Sequence, residues 1–152
     1  MHSSFSKSAL FTDLYELTMA QGYWKNNMNE PVVFDMFFRR QPFNGGFSIF
    51  AGIEPLLDSL TEFCFDEDEI DYLRSLKIFE DGFLEYLRTF KFTGDLYSFE
   101  EGSVIFPQEP LVRIHANLIE AQIIEGLVLN ICNFQSLIAT KTEKKFLLIV
   151  RL

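Results

Sequence analysis

The chain is 152 residues long, carries a formal charge of −9 and contains 18 phenylalanines. That length is one domain able to bury about 70% of its unfolded surface, and the phenylalanine content points to a filled interior rather than disorder. The acidity is concentrated: between residues 54 and 101, fourteen acidic side chains face only Arg74, Lys77, Arg88 and Lys91, which excludes a nucleic-acid surface and reads as a solvated helical face.

The opening Met1-His2-Ser3-Ser4-Phe5-Ser6-Lys7 lacks an apolar h-region, so no signal peptide is expected. Residues 11–24 read as the first helix. Thr12 is the expected N-cap, and Asp13 lies where the helix dipole favours an anion. Leu10, Leu14, Leu17, Gln21 and Trp24 recur at three-to-four spacing and predict the core face, apolar except for Gln21. Tyr15 lies off that stripe, on the side of Met19 and Gly22. On spacing alone it is a partly buried surface tyrosine, available to touch something else.

Residues 26–31 form a turn cluster that stops this helix. A strand follows over residues 32–40. Val32, Phe34, Met36 and Phe38 form its apolar face, and Asp35, Phe37 and Arg39 a mixed face expected to be covered. Gln41-Pro42-Phe43-Asn44-Gly45-Gly46 reads as a hairpin turn with glycines supplying positive φ, before a second strand at residues 47–51. A phosphate cradle there is disfavoured, because a strand and not a helix follows the glycines.

Residues 52–63 read as a helix, and Asp66-Glu67-Asp68-Glu69 opens another with Ile70, Leu73 and Leu76 as its buried side. The four acids do not make a calcium loop, since the required glycine and closing glutamate are absent; they suit the positive end of a helix. Phe83, Leu84, Leu87 and Phe90 predict a short helix. Residues 95–99, 103–106 and 111–116 read as short strands separated by turns. A long helix from residue 118 to about 141 is apolar nearly all round and so predicted to be central. Its exception is a stripe of Gln122, Glu125, Gly126, Asn133, Ser136 and Thr140, interrupted by Leu129, which must face a polar element or pack tightly through small residues. The uncharged run within it spans about 23 Å as a helix, short of a bilayer core of about 30 Å, and carries Asn130, Asn133 and Gln135, so no membrane segment is expected. The apolar tail at residues 146–152 reads as a last buried strand or the scar of a truncation.

Cys64 and Cys132 stand far apart in apolar surroundings and predict two buried thiols in a reducing cytoplasm. No Gly-x-Ser-x-Gly elbow, Walker loop or metal-spaced His/Cys cluster is present. His115, the only internal histidine, reads as a core or edge residue. Composition and spacing therefore predict a soluble α+β domain of mixed short strands and helices, with a long buried C-terminal helix, no catalytic residue and no metal ligands.

Four ordered runs resemble the nicotinate phosphoribosyltransferase family. They are Phe11-Thr12-Asp13-Leu14-Tyr15-Glu16-Leu17-Thr18-Met19 with Gly22-Tyr23-Trp24; Phe37-Phe38-Arg39-Arg40-Gln41-Pro42-Phe43 with Gly45-Gly46 and Phe50-Ala51-Gly52; residues 101–111; and Ala121-Gln122-Ile123-Ile124-Glu125 through Asn130, Asn133-Phe134-Gln135 and Ala139-Thr140-Lys141. The resemblance implies the N-terminal domain of a type II phosphoribosyltransferase over residues 1–141, followed by a divergent tail at residues 142–152. It implies an activity joining nicotinate to 5-phosphoribosyl 1-diphosphate to form nicotinate mononucleotide in NAD salvage, with ATP hydrolysis coupled and Mg²⁺ required by the full-length enzyme. It implies Tyr15 stacking on the pyridine ring in a partner subunit's site, Arg39 near the phosphates, and a homodimer through this domain. In the family an α/β barrel follows the long helix and carries the phosphorylated histidine and most phosphate ligands. The likeness lapses after Lys141, so the expectation is a truncated gene or half of a split enzyme: a fragment inactive alone that binds neither ATP nor Mg²⁺. The alternative is a non-catalytic module that pairs with an intact homologue.

Overall fold

The computed structural model describes residues 8–150, with side chains through residue 143. The elements are α1 (Leu14–Lys25), β1 (Pro31–Met36), β2 (Ser48–Ile49), α2 (Ile53–Glu62), α3 (Glu67–Ser75), α4 (Asp81–Arg88), β3 (Asp95–Ser98), β4 (Val104–Ile105), β5 (Val112–Asn117) and α5 (Leu118–Val150). This is the expected α+β class.

β5 is the middle strand of an antiparallel sheet ordered β1-β5-β3, while β2 pairs with β4 in a separate ladder. Pro31 lies opposite Asn117 and Met36 opposite Val112, so alternation sends Val112, Ile114 and Ala116 inward with Met36. The other face, with Val33, Asp35, Arg113, His115 and Tyr97, is exposed among the described residues rather than covered. On it Arg113 makes a two-point bond to Asp35 at 2.7 and 2.8 Å, and the His115 and Tyr97 rings lie 5.2 Å apart.

The predicted hairpin between the first two strands does not form. Residues 32–36 find their partner about eighty residues later in β5, and β1 ends at Met36 rather than running to residue 40. In the connecting turn Phe43 (φ 57°) and Asn44 (φ 49°) take the left-handed conformation, while Gly45 has φ −87°. The positive φ there falls to an aromatic and an asparagine, because the chain turns one residue before the glycines.

α5 is the central element and packs against α1, β2, α2, β1 and β5. Ile123, Ile124, Leu127, Val128, Ile131 and Cys132 are buried along its first half, whereas Leu129, Phe134, Leu137 and Ile138 are exposed. The segment Leu118–Glu143 is long and apolar enough to cross a membrane, longer than the uncharged run alone suggested, and half of its most apolar stretch is buried within the domain. The helix continues to Val150, so residues 146–150 are helix and not strand, and residues 151–152 lie outside the described residues.

Its small polar stripe does the work of a neighbouring strand. Thr140 Oγ1 accepts the Ile49 N–H at 2.9 Å; Ser136 Oγ accepts the Ala51 N–H and donates to the Ala51 carbonyl, both at 3.0 Å. Backbone groups on the free edge of a two-residue strand, otherwise buried without partners, are satisfied this way. Gly52, at φ +116°, follows and lies so close to α5 that a Cβ would come within 3.1 Å of the Cys132 Cα. Only glycine combines that φ with that approach.

The middle helices follow their local signals. Asp66 accepts the Glu69 N–H at 2.8 Å and Glu69 accepts the Asp66 N–H at 3.1 Å, a reciprocal capping box. Ile70, Leu73, Phe83, Leu84, Leu87 and Phe90 are buried as expected. Phe63, Phe65 and Phe90 meet edge-on with centroids 5.7–6.0 Å apart. Cys132 is buried, but Cys64, between Phe63 and Phe65, is exposed. The two aromatics turn inward there and leave the intervening side chain to solvent.

Candidate functional site

α1 starts one residue later than expected. Asp13 is its N-cap, and Thr12 is drawn off by two other bonds, to Glu16 Oε2 and to the Ile123 carbonyl of α5. The face toward α5 carries Glu16, Leu17 and Ala20, all buried, while Leu14 is 51% exposed. Gln21 bridges outward instead, donating to the Ile78 carbonyl at 3.1 Å and accepting the Glu80 N–H at 2.6 Å. The core stripe is therefore rotated from the one that spacing of apolar residues indicates, because a carboxylic acid occupies its centre.

Tyr15 is 47% exposed, but its hydroxyl is tethered: it donates to Glu125 Oε1 at 3.2 Å. Glu125 is itself oriented by Gln122, whose Nε2 donates to Oε2 at 2.8 Å. Lost hydration and then the Glu125 carboxylate push the phenol up to about 12, so it stays a protonated donor through neutral pH. The ring is thus offered to solvent from a fixed anchor. Phe11, just before the helix, and Leu14 and Met19 within it are each more than 40% exposed as well.

Arg39 and Arg40 lie on the segment after β1 and are exposed. The segment is pinned on both sides. The Phe38 carbonyl accepts the Gln108 N–H at 2.8 Å, and Gln41 donates to the Ile105 carbonyl at 3.0 Å and accepts from Ser48 Oγ. Neither arginine forms an ion pair among the described residues, which leaves both guanidiniums available to an anion.

Glu101 supplies a further anchor: its Oε1 accepts the N–H groups of Gly52, Ile53 and Glu54 at 2.8, 2.6 and 3.4 Å, filling the positive end of α2. Tyr15 and Arg39 do not meet. Tyr15 is tied to residue 125 of α5, and the Arg39 segment to β2 and β4, which α5 holds at residues 136 and 140. The intervening helix is about 16–22 Å long. His115 is exposed on the open sheet face and takes no part in either group. No cluster of three or more His, Cys, Asp or Glu side chains among the described residues is arranged to hold a metal ion.

Glu125 belongs to the polar stripe that spacing marks on the long helix, whereas Glu16 and Glu101 have no role in that reading. A signal for Glu16 existed, since Asp13 and Glu16 have capping-box spacing. Glu101 carries no local signal, since its partners are 47–49 residues away.

Solved structures share this fold. The human nicotinic acid phosphoribosyltransferase superposes with TM-score 0.78 at 33% identity, over 86% of this chain and 27% of that one. The nicotinate-nucleotide pyrophosphorylase of Pyrococcus furiosus shares the fold alone, with TM-score 0.61 at 17% identity over 87% of this chain. The first of these defines the class: an N-terminal α+β domain of phosphoribosyltransferase type. Residues 10–133 match the model of the nicotinate phosphoribosyltransferase (NAPRTase) N-terminal domain. A nicotinate phosphoribosyltransferase of Mycobacterium tuberculosis is 46% identical over 136 residues, and one of Bacillus subtilis 44% over 137, each covering 90% of this chain. The chain belongs to the nicotinate phosphoribosyltransferase family, and spans 29% and 28% of those two relatives' lengths.

Proposed function

We propose that this chain is the N-terminal part of a nicotinate phosphoribosyltransferase, which joins nicotinate to 5-phosphoribosyl 1-diphosphate with coupled ATP hydrolysis. In that reaction the pyridine nitrogen bonds to C1 of the ribosyl group as the C1–oxygen bond to diphosphate breaks. A protein serves such a step by orienting the flat ring and neutralising the departing phosphates. Tyr15 is the ring-stacking residue and Arg39 a phosphate contact, each presented to the barrel of a partner subunit in a homodimer. Their separation in this chain fits that reading, since each would complete a different part of the assembled site. ATP and Mg²⁺ act on the rest of the enzyme, and this chain by itself forms no nicotinate mononucleotide.

The observation that carries the reading is Tyr15, with its ring exposed and its hydroxyl held by Glu125. A chimera tests it, with residues 10–133 replacing the N-terminal domain of the Mycobacterium tuberculosis relative. It should make nicotinate mononucleotide, and Tyr15→Ala within it should lower kcat/KM by about 10–100-fold, the cost of a misplaced reactant. Full activity of the Tyr15→Ala chimera would remove Tyr15 from the site. A second reading, a non-catalytic module pairing with an intact homologue, draws support from the exposed Phe11, Leu14 and Met19. It predicts co-purification with a full-length relative and no change in that relative's turnover.

A further inference from the structure

Glu16 is fully buried, and its Oε1 is the one buried side-chain polar atom among the described residues without a hydrogen-bond partner. Its other oxygen, Oε2, accepts the Asp13 N–H at 3.2 Å and contacts the Thr12 hydroxyl. That hydroxyl also lies 3.2 Å from the Ile123 carbonyl on α5. A threonine hydroxyl has a single proton to give, and a carbonyl has none. Thr12 can donate to only one of these two oxygens, so both contacts are hydrogen bonds only if Glu16 brings a proton of its own.

We infer that Glu16 is held as the neutral acid, donating through Oε2 to Thr12, so that a relay from Glu16 through Thr12 to the Ile123 carbonyl clamps α1 on α5 in a proton-dependent way. No cation among the described residues pairs with Glu16. The charge that acts on it is the Glu125 carboxylate of α5, while the N-cap residue Asp13 reaches it through its backbone N–H. Gly126 closes the remaining side: a Cβ there would stand 2.8 Å from Oε2 and 3.1 Å from Oε1. An unpaired buried carboxylate is costly, and taking up a proton is the usual way such a group relieves that cost. Burial, reinforced by Glu125, accordingly raises the carboxyl above its ordinary 4.5, against the opposing pull of Thr12 and of the Asp13 and Gly126 backbones. Tyr15 is the adjacent residue, so loosening the clamp loosens the helix that carries it. The inference stands apart from the proposed function and is tested without turnover.

A carboxyl with a raised folded-state pKa stabilises the fold below its unfolded value, and that stabilisation is lost as pH rises through the folded value. In the 152-residue chain labelled with ¹³C-glutamate, the Glu16 side-chain carboxyl resonance, assigned by its loss in Glu16→Gln, should titrate with a midpoint above 4.5. A midpoint at or below that value overturns the inference. Thermal unfolding of wild type and Glu16→Gln from about pH 4 to about pH 8 gives a second reading. The neutral amide should gain melting temperature over wild type progressively as pH rises. A gap that stays constant, or that favours wild type increasingly toward alkaline pH, also overturns it.

Discussion

Two helical glycines differ in one respect that allows a controlled substitution. Gly22 in α1 has nothing within 4 Å of the position a Cβ would take, whereas at Gly126 in α5 that position is 2.8 Å from Glu16 Oε2. Alanine in a helix interior gains about 0.5–1 kcal/mol over glycine at either position. At Gly22 nothing opposes the gain, so Gly22→Ala should stabilise by about that amount. At Gly126 the methyl must displace a fully buried carboxyl held by Asp13 and Thr12. Overpacking costs about 1–3 kcal/mol. The lost hydrogen bonding costs about 1–3 kcal/mol more. Gly126→Ala should therefore destabilise by about 1–5 kcal/mol, at roughly 2–4 °C of Tm for each kcal/mol in a chain of this size. Chemical denaturation of both single variants and of Gly126→Ala/Glu16→Ala measures the coupling. With Glu16 shortened, the methyl has room, and much of the loss should return. If Gly126→Ala were stabilised as much as Gly22→Ala, Glu16 would not fill the space beside α5, and the geometry argued for it would be wrong.

Other expectations follow from the anchors. Glu101→Ala leaves three N–H groups at the start of α2 without their acceptor and should cost about 1–2 kcal/mol, the size of a strong N-cap, as measured by urea unfolding. Ser136→Ala and Thr140→Ala should each cost about 1–3 kcal/mol and speed amide exchange at Ala51 and Ile49 respectively, with the other amide much less affected. Arg113 holds the Asp35 carboxyl below its ordinary 3.8, so the pair's contribution is present above that pH and is lost as pH falls through the lowered value. Asp35→Asn should flatten that part of the acid limb of the stability profile and leave neutral-pH activity of the chimera unchanged.

Where a signal is local, the sequence and the structure agree. The reciprocal Asp66–Glu69 cap needs only a three-residue spacing, and Phe83, Leu84 and Leu87 mark the buried side of α4 by periodicity. The long central helix was legible because no surface helix is so apolar. Where the deciding partner is distant, local pattern misleads. The segment from Val32 to Ile49 resembles a hairpin, yet β1 gains more by joining β5, whose Val112, Ile114 and Ala116 complete the same buried face. The stripe through Leu14 counts apolar side chains and cannot register that Gly126 makes room on α5 for an acid. Of the candidate site, Tyr15 and Arg39 were reached through a family resemblance. Their supports in Glu125, Gln108 and Gln41 are long-range contacts that neither periodicity nor spacing encodes.

The serine and threonine that stand in for a strand beside β2 also bear on the order in which the chain assembles. Ile49 and Ala51 lie 91 and 85 residues before the hydroxyls that satisfy them. During synthesis at about 5–20 residues per second, that interval lasts roughly 4–18 s. β4 can pair with one edge of the β2 segment once residue 105 has emerged, but the Ile49 and Ala51 N–H groups wait for α5 until the end of that interval. β1 waits similarly for β5. Contacts of this sequence separation close only after the intervening loops have been brought together, so they favour late assembly of β1, β5 and α5.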